Sequence, residues 1–211
     1  MRPATMVFSE WAEMGKDSGM EKGHFPAVNE ILASTFEIMG SQNFRAIDAG
    51  CGNGWGVRML STMKNCEYII GVDGADAMIS KACEIDKDGD YICADLESWS
   101  PEKPVGLVHS MEVLYYLEDI PSFLHSVRDN WLQKDGILAF GIDHYYENDA
   151  CHDWSEKVGV VMAMLSESEW REMVEGAGFE ILRMFRANQT DEWAGTLAII
   201  ARKRDSSFYN N

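Results

Sequence analysis

Three acidic residues each close an apolar run in the first half of the chain, and carboxylates so placed accept hydrogen bonds from hydroxyl and amino groups. They are Asp48 after Phe44–Ile47, Asp73 after Tyr68–Val72 and Asp95 after Tyr91–Ala94. The first leads into a turn, Ala49-Gly-Cys-Gly-Asn-Gly-Trp-Gly56, with glycine at every second position. Glycine permits positive φ and lets backbone N–H groups approach a ligand that a Cβ would hold off. The helix expected next has Gly56, Met59, Leu60 and Met63 at i, i+3, i+4 and i+7, and its free N–H groups aim at the same point. A strand, a glycine turn and a helix make half of a mononucleotide-type βαβ unit.

The glycine spacing excludes two common ligands of such turns. A dinucleotide fingerprint begun at Gly50 needs a third glycine where Trp55 stands, and a phosphate-cradling P-loop needs a terminal G-K-[ST] that is absent. What remains, two apolar residues and then Asp48-Ala-Gly-Cys-Gly-Asn-Gly54, resembles the first motif of class I S-adenosylmethionine (SAM)-dependent methyltransferases. The resemblance runs from about Phe44 to Lys203. It implies that Asp48, Gly50, Cys51, Gly52, Asn53 and Gly54 cradle the cofactor, and that Asp95 with Leu96 takes the adenine. Asp73 stands where a Rossmann-type site places its ribose-binding carboxylate, and Gly74 beside it allows close approach. Met78 on the next helix, with Ser110 and Met111 at the end of the fourth strand, completes the expected cofactor contacts. Acids along the crevice suit a phosphate-free cofactor with a sulfonium cation. Two positions depart from the family pattern: Gly106 replaces a frequent strand Asp and Tyr116 a frequent His.

The acceptor side is written more loosely. The stretch from Asp143 to Lys157 leaves a fifth strand (137–142) on the crevice side and is rich in polar and aromatic residues. His144, Tyr145, Tyr146, His152 and Trp154 are candidates for an acceptor pocket there, an ordinary solvated loop being the alternative. Its four carboxylates, Asp143, Glu147, Asp149 and Asp153, outnumber Lys157 and favour a neutral or cationic acceptor. Tyr115 and Tyr116 face either the acceptor or the core. Near the N-terminus, Trp11, Glu21 and His24 are candidates to touch ligand, ahead of a helix expected to start at Phe25-Pro26. Histidine titrates near neutrality, so His144 is the first candidate for a general base and His24 the second. His144 and His152 lack the i, i+4 spacing of a one-face metal pair, and no metal is expected.

These elements imply an α/β Rossmann-like, doubly wound fold: a seven-stranded, mainly parallel sheet with an antiparallel last strand and helices on both faces. Ser166-Glu-Ser-Glu169 has capping-box spacing for a helix closed by Gly178. The expected division is an N-terminal helical cap over 1–43, a SAM-binding domain over 44–204 with a lid-like insertion at 143–166, and a flexible tail over 205–211. The chain has 211 residues and a formal net charge of −17, which disfavours nucleic acid as substrate. The one dense basic run, Arg202-Lys203-Arg204, is expected to be a solvated tail. No apolar run reaches the ~20 residues of a membrane span. Five cysteines without a C-x-x-C pair, and a start without a signal-peptide pattern, fit reduced thiols in a cytosol-like compartment, with Cys51 and Cys93 expected buried. The implied activity is methyl transfer from SAM to a small-molecule O or N acceptor, with S-adenosylhomocysteine as product. The alternatives are a SAM-binding sensor and a protein methyltransferase; the sequence leaves open monomer or homodimer.

Overall fold

The computed structural model describes residues 1–204. Its strands are β1 (Phe44–Ala49), β2 (Cys66–Asp73), β3 (Asp90–Cys93), β4 (Val105–Met111), β5 (Leu132–Ile142), β6 (Phe179–Ala187) and β7 (Thr196–Lys203). They form one sheet in the order β3-β2-β1-β4-β5-β7-β6. Strands β1 to β5 are parallel, and β7 enters antiparallel between β5 and β6. This is the expected seven-stranded sheet with a reversed last strand.

Neighbouring residues on the central strands point to opposite faces, and both faces are covered. Ile47, Val108, Leu138 and Ile199 pack in one apolar layer, whereas Ala46, Leu107, Ile137 and Ile200 pack in the other. Two-sided burial is why these strands read as unbroken apolar runs. The helices are α1 (Ala4–Glu13), α2 (Asp17–Met39), α3 (Trp55–Ser61), α4 (Asp76–Ile85), α5 (Ile120–Ser126), α6 (Trp154–Val158) and α7 (Glu167–Gly176). Val28, Leu60 and Ile79 bring α2, α3 and α4 onto one face, and Phe123 and Trp170 bring α5 and α7 onto the other. The capping box at Ser166 and Glu169 starts α7. Helix α1 packs on α4, where Ser9 Oγ donates to Asp76 at 2.7 Å.

Several expectations are corrected. Helix α2 starts at Asp17 rather than Phe25, and Pro26 lies inside it. The apolar period is missing over 17–24 because Asp17, Glu21 and His24 serve polar partners rather than an apolar layer. Further along the same helix Ala27, Val28, Ile31 and Leu32 are buried against the sheet. Arg202 and Lys203 belong to β7, where Arg202 faces Glu180 and Lys203 Nζ donates to the Leu132 carbonyl at 2.8 Å. Cys93 is exposed, because β3 is a short edge strand; all five cysteines are free thiols. The tail over 205–211, expected to be flexible, lies outside the described residues. Among the described residues no helix is long and apolar enough to cross a membrane.

Candidate active site

The carboxyl ends of β1 to β4 open into a cavity of about 840 Å³, with the end of β5 behind its wall. Sheet order sets the order of its chemistry: Asp95 follows β3, Asp73 ends β2, the glycine turn follows β1, Glu112 follows β4 and Asp143 follows β5. All but Asp143 line the cavity directly.

At the first end the backbone does most of the shaping. Gly50, Gly52 and Gly54 all have positive φ, at 77°, 53° and 79°. Above Gly52 the nearest atom to a notional Cβ is the Met78 sulfur at 3.9 Å, leaving its face open to the cavity. At Gly50 a Cβ would take the place of a Val113 methyl, so the turn packs directly on the segment after β4. Gly54 is required by the Tyr91 ring beneath it and does not line the cavity. Asp73 has a structural duty that its sequence context hides: it accepts from Gly52 N at 2.9 Å and from Ala75 N at 2.8 Å, tying the turn to β2. Burial raises its pKa, against those two hydrogen bonds.

Asp48 is buried and meets His109 Nδ1 at 2.7 Å. The His109 ring lines the cavity, and its Nε2 is buried without a protein partner. Asp17 is also buried at the cavity wall, accepting from Asn53 Nδ2 at 2.8 Å and from Lys81. Burial opposes its ionisation, but the hydrogen bonds from Lys81 and Asn53 hold its pKa below the ordinary value. That contact pins the start of α2 to the glycine turn. Asp95 accepts from Ser98 Oγ at 2.8 Å and lines the cavity with Leu96, Cys51, Gly74 and Met111. Ser110 does not line it: its hydroxyl donates to the Ala49 carbonyl at 2.7 Å and fastens β4 to β1.

The other end is built from side chains. Glu112 has φ +60°, a left-handed conformation uncommon for a residue with a side chain. Its backbone N–H donates to the Gly141 carbonyl at 2.9 Å, and its carboxylate accepts from Tyr115 Oη at 2.6 Å and from the Asp143 amide. Asp143 accepts from Thr196 Oγ1 at 2.5 Å and lies 3.6 Å from His24 Nδ1. The His24 side chain is a quarter exposed and lines the cavity. Burial lowers the His24 pKa, and the Asp143 charge opposes that shift. Aromatic rings form a chain along the wall, from Trp11 to Phe8 at 5.4 Å, on to Tyr116 at 5.2 Å and to Tyr115 at 4.4 Å. Above them Arg2 N donates to the Gly159 carbonyl at 2.9 Å, joining the N-terminus to the 143–166 segment, which adds Trp154 and Met162 to the lining.

The structure separates the residues of that segment. Trp154 lines the cavity, but His144, Tyr145, Tyr146 and His152 do not. His144 is 1% exposed and sits between Tyr115 and Trp154, with Nδ1 3.2 Å from the Ala163 carbonyl. It follows Asp143, and successive residues leaving a strand point to opposite faces. Tyr145 is buried with its hydroxyl donating to the Gly195 carbonyl at 3.0 Å, and Tyr146 is exposed. Glu21 pairs with Arg58 at 3.7 Å, away from the lining. Sequence reasoning missed Asp17, His109 and Thr196, and gave Asp143 no role beyond loop charge. One signal was available: Asp143 closes the fifth strand's apolar run as Asp48 and Asp73 close the first and second.

The residues present fit SAM. An unpartnered ring nitrogen on a carboxylate-bound histidine and several acids meet an open glycine face, and the turn lacks the phosphate-binding pattern. A family model described as "Methyltransferase domain" matches residues 10–184. The trans-aconitate 2-methyltransferase of Klebsiella pneumoniae (strain 342) is 33% identical over 94 residues, 44% of this chain and 36% of that protein. That of Escherichia coli (strain 55989 / EAEC) is 29% identical over 136 residues, 64% of this chain and 49% of that protein. The chain thus spans half or less of the length of these two relatives. Among solved structures, the methyltransferase partner of the Haloferax volcanii Trm112 methyltransferase activator superposes with TM-score 0.84 at 24% identity, over 97% of this chain and 100% of that one. The N-methyltransferase NodS of Bradyrhizobium japonicum WM9, in complex with S-adenosyl-L-homocysteine, gives 0.66 at 19% identity, over 84% and 85%. Family match, sheet order and glycine–carboxylate cradle agree: the chain belongs to the methyltransferase domain family and has the class I, SAM-dependent architecture.

Proposed function

We propose that this protein transfers the methyl group of SAM to a small-molecule acceptor by in-line displacement, releasing S-adenosylhomocysteine. The observation that carries this reading is a single cavity with a glycine–carboxylate cradle at one end and a histidine–carboxylate pair at the other. Bound SAM supplies a methyl carbon made electrophilic by its sulfonium, so the chain's own work is placement, desolvation and proton removal. The glycine turn, Asp73 and the Asp95–Leu96 pair hold the cofactor on this reading, and the Asp48–His109 pair and Asp17 lie to hand for its charged amino group. At the acceptor end, the Asp143 carboxylate, itself held by Thr196, orients His24 to take the acceptor's proton. His24 therefore replaces His144 as the base we favour, because His144 does not reach the cavity. Phe8, Tyr116 and Trp154 exclude water from the same space.

A net charge of −17 supports a small molecule over nucleic acid. The test is SAM labelled on its methyl group, incubated with the protein and a low-mass cell extract, with Asp73→Ala as control. Label in a low-mass product with the wild type alone is expected; label on protein only, or none, would overturn the small-molecule reading. A second reading concerns partners: the likeness to an activator-bound chain extends over 97% of this chain. A small activator subunit of that type is proposed to bind here too, and co-expression that fails to yield a complex counts against it.

A further inference from the structure

The acceptor end brings two carboxylates and one histidine together. Glu112, Asp143 and His24 each bring a polar atom within 4.8 Å of the others. Burial, and then the Asp143 charge, push the Glu112 pKa well above the ordinary carboxylate value. Two carboxylates side by side, Asp143 buried and Glu112 half-buried, favour a proton or a cation between them. Of the three groups only His24 can become positive, and burial works against that. Glu112 is nevertheless fixed at this point by three hydrogen bonds on a left-handed backbone, a conformation that persists only where the surroundings over-determine it.

We propose that this cluster is the ammonium subsite of an amine acceptor, with Glu112 and Asp143 as counter-charges and His24 as the group that removes the proton. The inference rests on the methyl-transfer reading above and names its substrate class. Three observations favour an amine. The aromatic chain from Trp11 to Tyr115 ends at Glu112, and π faces beside a carboxylate attract organic cations. The lining's cations are already engaged, Arg2 by Glu10 at 2.9 Å and Lys157 by Asp153 at 2.7 Å, so a polycarboxylate would find carboxylates instead of partners. An ammonium ion also has no lone pair to attack with, which gives a base at the cavity wall a task that an ionised carboxylate acceptor would not.

The step balances as follows. R–NH₃⁺ gives one proton to His24 and becomes R–NH₂. The nitrogen lone pair forms the N–CH₃ bond as the S–CH₃ bond breaks, its electron pair staying on sulfur. The products are R–NH₂–CH₃⁺, S-adenosylhomocysteine and a proton that leaves His24 for solvent.

The test uses the protein saturated with S-adenosylhomocysteine, whose binding is first confirmed by calorimetry. Butylamine, benzylamine and 2-phenylethylamine are titrated beside the matching alcohols, trans-aconitate, and Zn²⁺ or Mn²⁺, with tryptophan fluorescence and calorimetry as readouts. At least one amine is expected to bind about tenfold or more tighter than its alcohol, and Glu112→Gln to abolish that preference while S-adenosylhomocysteine binding persists. Equal binding of all amine–alcohol pairs, tighter binding of trans-aconitate, or metal binding lost in Glu112→Gln without any amine preference would each overturn the proposal. Should Glu112→Gln fail to fold, the wild-type amine-to-alcohol ratio decides alone. Failure to bind S-adenosylhomocysteine at all sinks the methyl-transfer reading, whereas normal binding without amine preference sinks only the acceptor assignment.

Discussion

The two ends of the cavity are built on different principles. At the β1–β3 end the ligand surface is shaped by backbone: the positive-φ glycines Gly50 and Gly52, an open face at Gly52 and an N–H group tied down by Asp73. At the other end it is side chains, contributed by α1, α2, the end of β4 and the 143–166 segment, with Asp143 and Thr196 standing behind His24. Backbone geometry constrains local sequence tightly, because glycine takes positive φ without the steric cost that a side chain brings. A site of side chains constrains only where its elements meet in space. The first end can thus remain fixed while the second takes another acceptor.

The sharpest way to break that contrast is at His24. His24→Gln should lower kcat by roughly 10²–10⁴-fold, as loss of a general base does, with SAM affinity unchanged in calorimetry. In the wild type, kcat/KM should fall as pH drops through a value below 6.5, because burial lowers the His24 pKa and its protonated form cannot accept. Asp143 and Glu112 are the charged groups facing it, and Asp143→Asn should weaken the base by misorienting it. Asp73→Ala probes the other end: it frees the Gly52 and Ala75 amides and should weaken SAM binding by roughly 1.5–3 kcal/mol, the range for hydrogen bonds to a charged group. A smaller effect is expected from Asn53→Ala, which removes the hydrogen bond to Asp17 that pins α2 and should weaken SAM binding by about 1 kcal/mol. The smallest kinetic effect belongs to His144→Ala, which should leave turnover near wild type and lower the melting temperature, as removal of a buried ring does. Loss of turnover with intact SAM affinity in that variant would restore His144 to the mechanism.

The same contrast explains how much was legible in the sequence. The sheet, its reversed last strand and the glycine turn could be read because two-sided burial and positive φ leave marks on consecutive residues. Asp73 ends β2 as its apolar run suggests, but its bonds to Gly52 and Ala75 depend on how β2 lies beside the turn. The sequence favours His144 over His24 because His144 leaves a crevice-side strand; that it turns into the core depends on where the strand ends. His24, Asp143 and Thr196 lie more than a hundred residues apart at the extremes, and no local pattern announces such a meeting. The start of helix α2 at Asp17 is hidden in the sequence because its first turns carry no apolar stripe.

The contact between Gly50 and Val113 joins the two ends mechanically. Val113 follows Glu112 directly, and its methyl fills the place where a Cβ on the glycine turn would stand. A cofactor that settles the turn therefore also settles the residue next to the acceptor's counter-charge. The kinetic consequence is an order of addition. Initial-velocity and product-inhibition patterns should show cofactor entering first and S-adenosylhomocysteine leaving last, and Val113→Ala, which leaves a gap at that joint, should move the patterns towards random addition.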